Sequence, residues 1–535
     1  MTNKKSQSRN VFAGSTKLLL CCFFIAAVII PLIRMLFNLK DADVAGILSS
    51  GATVTALINS LAVSLTATII AIIIAAIAAY CITRCDIKLR GLFSICILLP
   101  MLIPSISHGM GYIILFGSNG RLSKLLGLTS GLYGFWGIVI GSVMYAFPVA
   151  YLMISDILKY EDSTPYEAAA VLGIPKLRRF TAITFPYMRK PMISVIFATF
   201  TMIVTDYGVP LMVGGMYKTL PVIIYEEVIG RQDFAKGSVL GVVLLIPAVA
   251  AFLADIFCKG DKRGGAVSRP FTPKKGVLKT IFSHLYLLMI SVCVVYPIVS
   301  FAELTFSKYY PNDMSFTTAH IESTMRKGAG EYLVNSLIIA FSVAVIGVVI
   351  SFMCAYLTAR VPGRGTSFLH LMSIISLAIP GIVLGLSYVL TFKGTPIYKT
   401  LIILIIANTI HFFSSPYLMI YNSMAKLNPN LESVGQTLGI GRFRLIKDVV
   451  IPQTKSTLAE MFSYFFVNSM MTISAVAFLA VGDTKPVALL IPQFEALMLL
   501  ESSAFVSLII LAVNLLMKAF IYMLKHMASK RARVN

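Results

Sequence analysis

The chain of 535 residues is poor in charge: only 13% of its residues are Asp, Glu, Lys or Arg, against 57% that are hydrophobic. That leaves too little polar surface to clothe three or four soluble domains of this total length. It also excludes a disordered or collagen-like chain. Cysteine is too sparse, at eight residues, for a disulfide scaffold. Cys21, Cys22, Cys96, Cys293 and Cys354 lie within apolar runs, and no pair has zinc spacing. Cys81 and Cys85, four apart at a helix end, read as packing residues. Six scattered His without partnered spacing argue against a metal site, and no Cys, His or acidic cluster suggests a membrane enzyme. The phosphate-cradling pattern G-x-x-x-x-G-K-[ST] is also missing, so ATP chemistry is not expected of this chain.

What is present is a series of long apolar runs. A membrane-crossing helix needs about 20 mostly apolar residues. Twelve candidates are predicted, at about 17–38, 53–83, 91–116, 131–156, 192–214, 238–258, 278–304, 332–359, 367–392, 400–425, 456–481 and 503–525. The first follows Lys4, Lys5, Arg9 and Lys17 in the manner of a signal peptide, but it is too long and ends without a small-residue cleavage site. It is kept as a span. With both termini inside, 32 Lys/Arg and 10 Asp/Glu fall on the inner side, and 13 Lys/Arg and 12 Asp/Glu on the outer side. The net charge of +22 is therefore the inner-side bias of a membrane protein, not a nucleic-acid-binding face. The expected fold is all-α and polytopic, with both termini cytoplasmic.

The chain repeats itself. Asn59-Ser60, Ala79-Tyr80, Arg84, Pro104, Gly109 and Tyr112 recur 276 residues later as Asn335-Ser336, Ala355-Tyr356, Arg360, Pro380, Gly385 and Tyr388. The offset then falls to 266, pairing Gly173 with Gly439 and Pro186 with Pro452. The second half has thus lost ten residues, expected in the outer loop between its third and fourth spans. The sequence predicts a first repeat over 1–258, a cytoplasmic linker over 259–277 rich in Gly, Pro and basic residues, and a second repeat over 278–535. Six spans per repeat make the two parallel, related by an axis along the membrane normal.

Two long inner loops, 157–191 and 426–455, occupy equivalent positions. Each combines a helical stretch, a Gly able to end it in the left-handed conformation, a basic amphipathic run and a Pro. The first carries Glu167, Ala168, Ala169, Gly173, Ile183 and Pro186. This E-A-A-x-x-x-G…I-x-x-P pattern resembles the signature loop of ABC importer permeases. In the second loop Gly439 and Pro452 match, Ser433, Val434 and Gly435 replace Glu-Ala-Ala, and Glu432 stands one position early. The resemblance implies that both loops dock on a separate ATPase, two copies in all, which alone binds ATP and Mg. It also implies an extracytoplasmic solute-binding protein, a location in the cell membrane, and no cofactor on this chain. Glu226-Glu227 then reads as a solvated face or a binding-protein contact.

Asp206 is the one acid placed well inside a span, where an ionisable group faces a partner or a cavity. Its neighbours Tyr207, Gly208 and Pro210 suggest a broken helix, and the uncharged repeat mate Thr472-Ile473-Ser474 makes the site asymmetric. Asp206, Tyr207, Gly208 and Ser474 are the candidate path residues. His108, whose repeat mate is Leu384, is a weaker candidate that also reads as a packing residue, and His411 is of the same kind. Residues 205–255 resemble fused permeases for 2-aminoethylphosphonate, relatives of ferric-iron, thiamine and hexose-phosphate permeases. A secondary transporter shares the twelve-span, two-repeat plan. It would need more intramembrane charge, and it gives the paired loops no purpose.

Overall fold

The computed structural model describes residues 14–118, 120–127, 133–258, 269, 271, 276–310, 312–361 and 363–534. The expected linker therefore lies outside the described residues except at Arg269, Phe271, Gly276 and Val277, as do Lys4, Lys5 and Arg9. The first half contains α1 (Gly14–Asp41), α2 (Gly51–Arg84), α3 (Arg90–Leu98), α4 (Ser105–Phe116), α5 (Phe135–Lys159), α6 (Thr164–Val171), α7 (Phe185–Val204), α8 (Gly208–Val213) and α9 (Phe234–Cys258). The second contains α10 (Val277–Phe306), α11 (Gly330–Ala359), α12 (Thr366–Ile374), α13 (Gly381–Phe392), α14 (Leu401–His411), α15 (Ser414–Ala425), α16 (Leu431–Thr437), α17 (Ile451–Met471) and α18 (Leu500–Val534). Adding 276 to the bounds of α3 and α4 gives those of α12 and α13. Adding 266 to those of α5 gives the start of α14 and the end of α15.

The span count differs from the expected twelve. Among the described residues seven helices are long and apolar enough to cross a membrane, and three bent pairs, each taken as one span, bring the number to ten. The expected spans 91–116 and 367–392 are bent pairs: α3 turns into α4 by 105° and α12 into α13 by 109°. Pro104 and Pro380 stand at the start of the second member of each pair, where an absent N–H ends one helix and begins the next. The span expected at 400–425 breaks by 51° between α14 and α15. The spans expected at 192–214 and 456–481 correspond to α7 and α17, which stop at Val204 and Met471. Arg189 and Lys190 in α7, and Lys455 and Glu460 in α17, dilute the apolar run that a count of hydrophobic residues suggested. The all-α expectation also omits a small antiparallel hairpin after α10, Ser307–Tyr309 with Asp313–Phe316.

The long helices bury their small residues and expose their large ones. In α2 the buried face is Ala56, Ser60, Val63, Ala67, Ala71, Ala75 and Ala78, packed on α5, while Ile58, Leu65, Ile69, Ile73 and Ile77 point outward. This suits a lipid solvent, which gains nothing from expelling Ile but rewards close backbone approach. In α11, Gly347 serves the same purpose: a Cβ there would meet the Phe465 ring of α17 at 2.7 Å. The halves also exchange their first helices. α1 packs on α13, with Tyr388 donating to the Ala27 carbonyl (2.7 Å) and Phe24 set edge-on to Phe413. In return α10 packs on α3 and α4, and Tyr286 donates to the Ile74 carbonyl at 2.9 Å.

The repeated Asn-Ser pair has a mechanical role. Asn59 donates to the Lys218 carbonyl (3.0 Å), and Ser60 accepts from the Leu220 amide (2.7 Å). In the second half Asn335 donates to the Asp483 carbonyl (2.5 Å), and Ser336 accepts from the Val487 amide (2.7 Å). Each long helix is thereby pinned, at one end of the bundle, to the segment that follows α7 or α17. Overpacking a close helix contact costs about 1–3 kcal/mol. Gly347→Val should therefore lower the midpoint of thermal unfolding in detergent by several degrees, whereas Val349→Ala on the exposed face of α11 should leave it nearly unchanged.

Candidate functional site

The two long loops fold alike at the other end of the bundle. Gly173 and Gly439 have φ of +68° and +71°, so each ends its short helix in the left-handed conformation. The same pair of closing hydrogen bonds follows: Ile174 to the Ala169 carbonyl (3.0 Å) with Gly173 to Ala170 (3.1 Å), and Ile440 to Gly435 (2.8 Å) with Gly439 to Gln436 (3.1 Å). Ala169 is buried, and its repeat mate Gly435 is buried too, with room for only a small side chain beside Leu445. Ala168 is exposed. Pro186 and Pro452 each follow directly on a π-helical turn, Phe180–Thr184 and Ile446–Val450, within a continuous helical run. Between them, Leu172 and Leu177 in one loop and Leu438 and Phe443 in the other stand out from the surface. They occupy matching positions, 266 apart.

Each loop is clamped to the near end of its long helix by a repeated arginine. Arg360 meets Glu432 through two hydrogen bonds, at 2.9 and 2.5 Å, and also donates to the Leu427 and Asn428 carbonyls. Both side chains are largely buried, at 5% and 15% exposure. Arg84 pairs with Glu161, also buried, and donates to the Leu158 carbonyl. The carboxylates come from different places in the two loops. Glu432 lies within α16, whereas Glu161 precedes α6 and has the uncharged Leu427 as its repeat mate. Tyr166 donates to Glu161 as well; burial, then this hydrogen bond, raises its hydroxyl above the usual tyrosine range and keeps it protonated. Glu167 is mostly exposed, accepts from Ser163 (3.0 Å) and lies 3.4 Å from Arg269. Phe271 covers the Arg84 guanidinium at 3.5 Å and meets the Tyr166 ring edge-on. Arg269 and Phe271 thus lie against the first loop.

Between the halves, a cavity of about 210 Å³ is lined by Tyr145, Thr201, Thr205 and Asp206 from the first half and by Ser376, Gly381, His411, Ser414, Ser415, Tyr464 and Ser474 from the second. Asp206 and Ser474 belong to its wall. Asp206 accepts from the Val209 amide at 3.0 Å, capping the short helix α8. Tyr207 and Gly208 are not among its lining residues. Tyr207 is fully buried and stacks on Tyr225. Gly208 abuts Ser105 at the start of α4, so closely that a Cβ would lie 2.8 Å from the Ile106 amide. The second half inverts this contact: Gly381 starts α13, and Ser474, repeat mate of Gly208, abuts it. His108 is buried outside the cavity lining, with Nε2 3.2 Å from the Pro100 carbonyl and its ring beside Tyr145. The sequence offers no pattern that marks Glu161, Tyr145, Tyr464 or the serines other than Ser474. Only the arginines had a signal, their constant spacing in the repeat.

A duplicated helical bundle with paired clamped loops at one end and a polar cavity between the halves defines a membrane permease. The family described as "Binding-protein-dependent transport system inner membrane component" matches residues 71–259 and again 347–529. The chain belongs to this family, and is a multi-pass inner-membrane permease subunit of a binding-protein-dependent transport system, in which a solute-binding protein and an ATPase are the partners. It is 24% identical over 489 residues to the ferric transport system permease protein FbpB of Actinobacillus pleuropneumoniae, covering 88% of this chain and 71% of that one. It is 25% identical over 489 residues to putative ferric transport system permease protein FbpB 1 of Haemophilus influenzae, covering 88% and 77%. Over 157 residues it is 26% identical to the molybdenum transport system permease protein ModB of Azotobacter vinelandii, covering 28% and 70%.

Removing one partner of a buried ion pair costs about 3–5 kcal/mol, because the other charge is left unpaired. Arg360→Met should therefore free the second loop: limited proteolysis within 426–455 should speed up at least ten-fold, with the first loop unaffected. Replacing Arg326, exposed and paired only with exposed Glu322, should change neither loop.

Proposed function

We propose that this chain passes a small solute from an extracytoplasmic binding protein to the cytoplasm, driven by two copies of a separate ATPase that bind ATP and Mg. The pair of clamped, apolar-tipped loops carries this reading. Leu172 and Leu177 on one loop, and Leu438 and Phe443 on the other, offer matched docking points. Each docked loop is fixed by Arg84 or Arg360 to a long helix whose far end is pinned by the Asn-Ser pair. ATP binding draws the loops together, the long helices carry the motion across the membrane, and the cavity opens to the outside.

The preferred solute is 2-aminoethylphosphonate or a related organophosphorus compound. The cavity supports a zwitterion of this size: Asp206 is an acceptor for an ammonium group. The starts of α13 and α15, with the hydroxyls of Ser415 and Ser474, face an oxyanion. Ferric iron is the second reading, because relatives named for ferric transport align with 88% of the chain, and Asp206, Tyr145 and Tyr464 are oxygen donors. Thiamine is compatible as well, since a relative named for thiamine transport is 28% identical over 158 residues, and hexose phosphates follow from the sequence resemblance alone.

The test is ATP hydrolysis by the complex reconstituted in lipid with its ATPase and binding protein, with each ligand added in turn. Stimulation by 2-aminoethylphosphonate is expected, and Asp206→Asn should raise the concentration needed at least ten-fold, as loss of a charged hydrogen bond does. Stimulation by ferric iron alone would replace the first reading with the second. Failure of any ATPase to associate would remove both.

A further inference from the structure

We propose that His411 reads an oxyanion of the transported solute, so that the cavity selects anionic or zwitterionic cargo through the second half. This rests on the reading of the chain as a permease with the cavity on its path. The imidazole is the outlier among the histidines of the described residues. His108, His284 and His320 each place a ring nitrogen on a backbone carbonyl, and His370 pairs with the Tyr417 hydroxyl at 2.5 Å. His526 is exposed. His411 alone keeps a buried ring nitrogen, Nδ1, with no hydrogen-bond partner among the described residues. Nδ1 is shut off from the cavity, but the part-buried ring lines it, so the open edge of the imidazole is where a partner entering the cavity would meet it.

The surroundings give that partner a sign. Nε2 faces the start of α13: a Cβ on Gly381 would lie 3.0 Å from it. Gly381 therefore leaves room for the ring, where its repeat mate is Ser105. Gly381 at the start of α13, Ser415 at the start of α15, and Ser474 line the same cavity. Their amide and hydroxyl groups can donate to an anion, whereas the Ser414 hydroxyl is taken by the Ser373 carbonyl (2.9 Å), and a helix start favours negative charge. The repeat mate of His411, 266 residues earlier, is Tyr145, which also lines the cavity, beside Asp206. One position of the repeat thus carries a phenol near the carboxylate in the first half and an imidazole among donors in the second. A duplicated fold has in this way acquired unlike walls, as a zwitterion requires.

Two readouts on the full complex separate this inference from the reading beneath it. The first is carbethoxylation of histidines by diethylpyrocarbonate, followed by peptide mass spectrometry. 2-Aminoethylphosphonate and ethylphosphonate should each slow modification of His411 at least five-fold without protecting His284 or His320, and ethylamine should not. The second is solute-stimulated ATP hydrolysis. His411→Ala should raise the KM about ten-fold for both phosphonates. Gly381→Ala, which presses on the ring, should act in the same direction. Asp206→Asn should affect the aminated compound only. Stimulation without protection and with normal KM in His411→Ala would overturn the His411 assignment and keep the permease reading. Protection without stimulation would do the reverse. Neither response would sink both, and a fall in solute-free hydrolysis equal to the loss in stimulation would mark His411 as structural.

Discussion

The arginine clamps at the loop-facing ends of α2 and α11 are the constraint on which the rest depends. Arg84 and Arg360 are largely buried, and each is held by a carboxylate and by loop carbonyls. Neither charge can leave its partner without being stranded in a medium of low dielectric. Loop and helix therefore move as one body. Each helix rises about 1.5 Å per residue, so the distance from the Asn-Ser pin to the arginine is close to 40 Å, enough to cross the apolar core of a bilayer. A displacement at one end of such a rod reaches the other with little loss.

The cavity sits where that motion has its effect. Its walls come from both halves, so a change in their relative position must change its shape. The contacts beside it are tight and inverted in chemistry: Ser105 against Gly208 in one half, Gly381 against Ser474 in the other. The swap preserves close packing at both sites while moving a hydroxyl from the helix start to the facing segment. Together with Tyr145 against His411 and Asp206 against Thr472, it turns a symmetric frame into an asymmetric chamber. The frame is fixed by repeated residues, and the chamber by the positions where the repeats differ.

That division explains what could be read from the sequence. The offsets of 276 and 266 gave the duplication, and helix bounds follow them to the residue at α3 and α12. Both loop glycines take the left-handed conformation that their position in the pattern demands. The span count was less legible, because hydrophobic content does not register the 105° and 109° bends that prolines impose between α3 and α4 and between α12 and α13. Glu432 looked displaced by one position, yet it meets Arg360, because the helix turn and not the alignment column decides which carboxylate reaches the arginine. Glu161 has only the uncharged Leu427 as its repeat mate and belongs to no motif, so only the fold brings it to Arg84. The cavity serines, Tyr464 and Tyr145 are dispersed over several helices and carry no local pattern. Asp206 stood out because charge is rare within such spans.

The central claim is that the clamped helices carry loop closure across the membrane. Pulsed electron–electron resonance on the reconstituted complex tests it most directly. Spin labels at Ala170 and Gln436, repeat mates outside the apolar docking points, report the loops, and labels at Met216 and Asp483 report the segments pinned at the far end, all four sites being exposed. On addition of a non-hydrolysed ATP analogue the first distance should shorten and the second lengthen, both with the same dependence on nucleotide concentration. Shortening between the loops with no change at the far end would contradict the account.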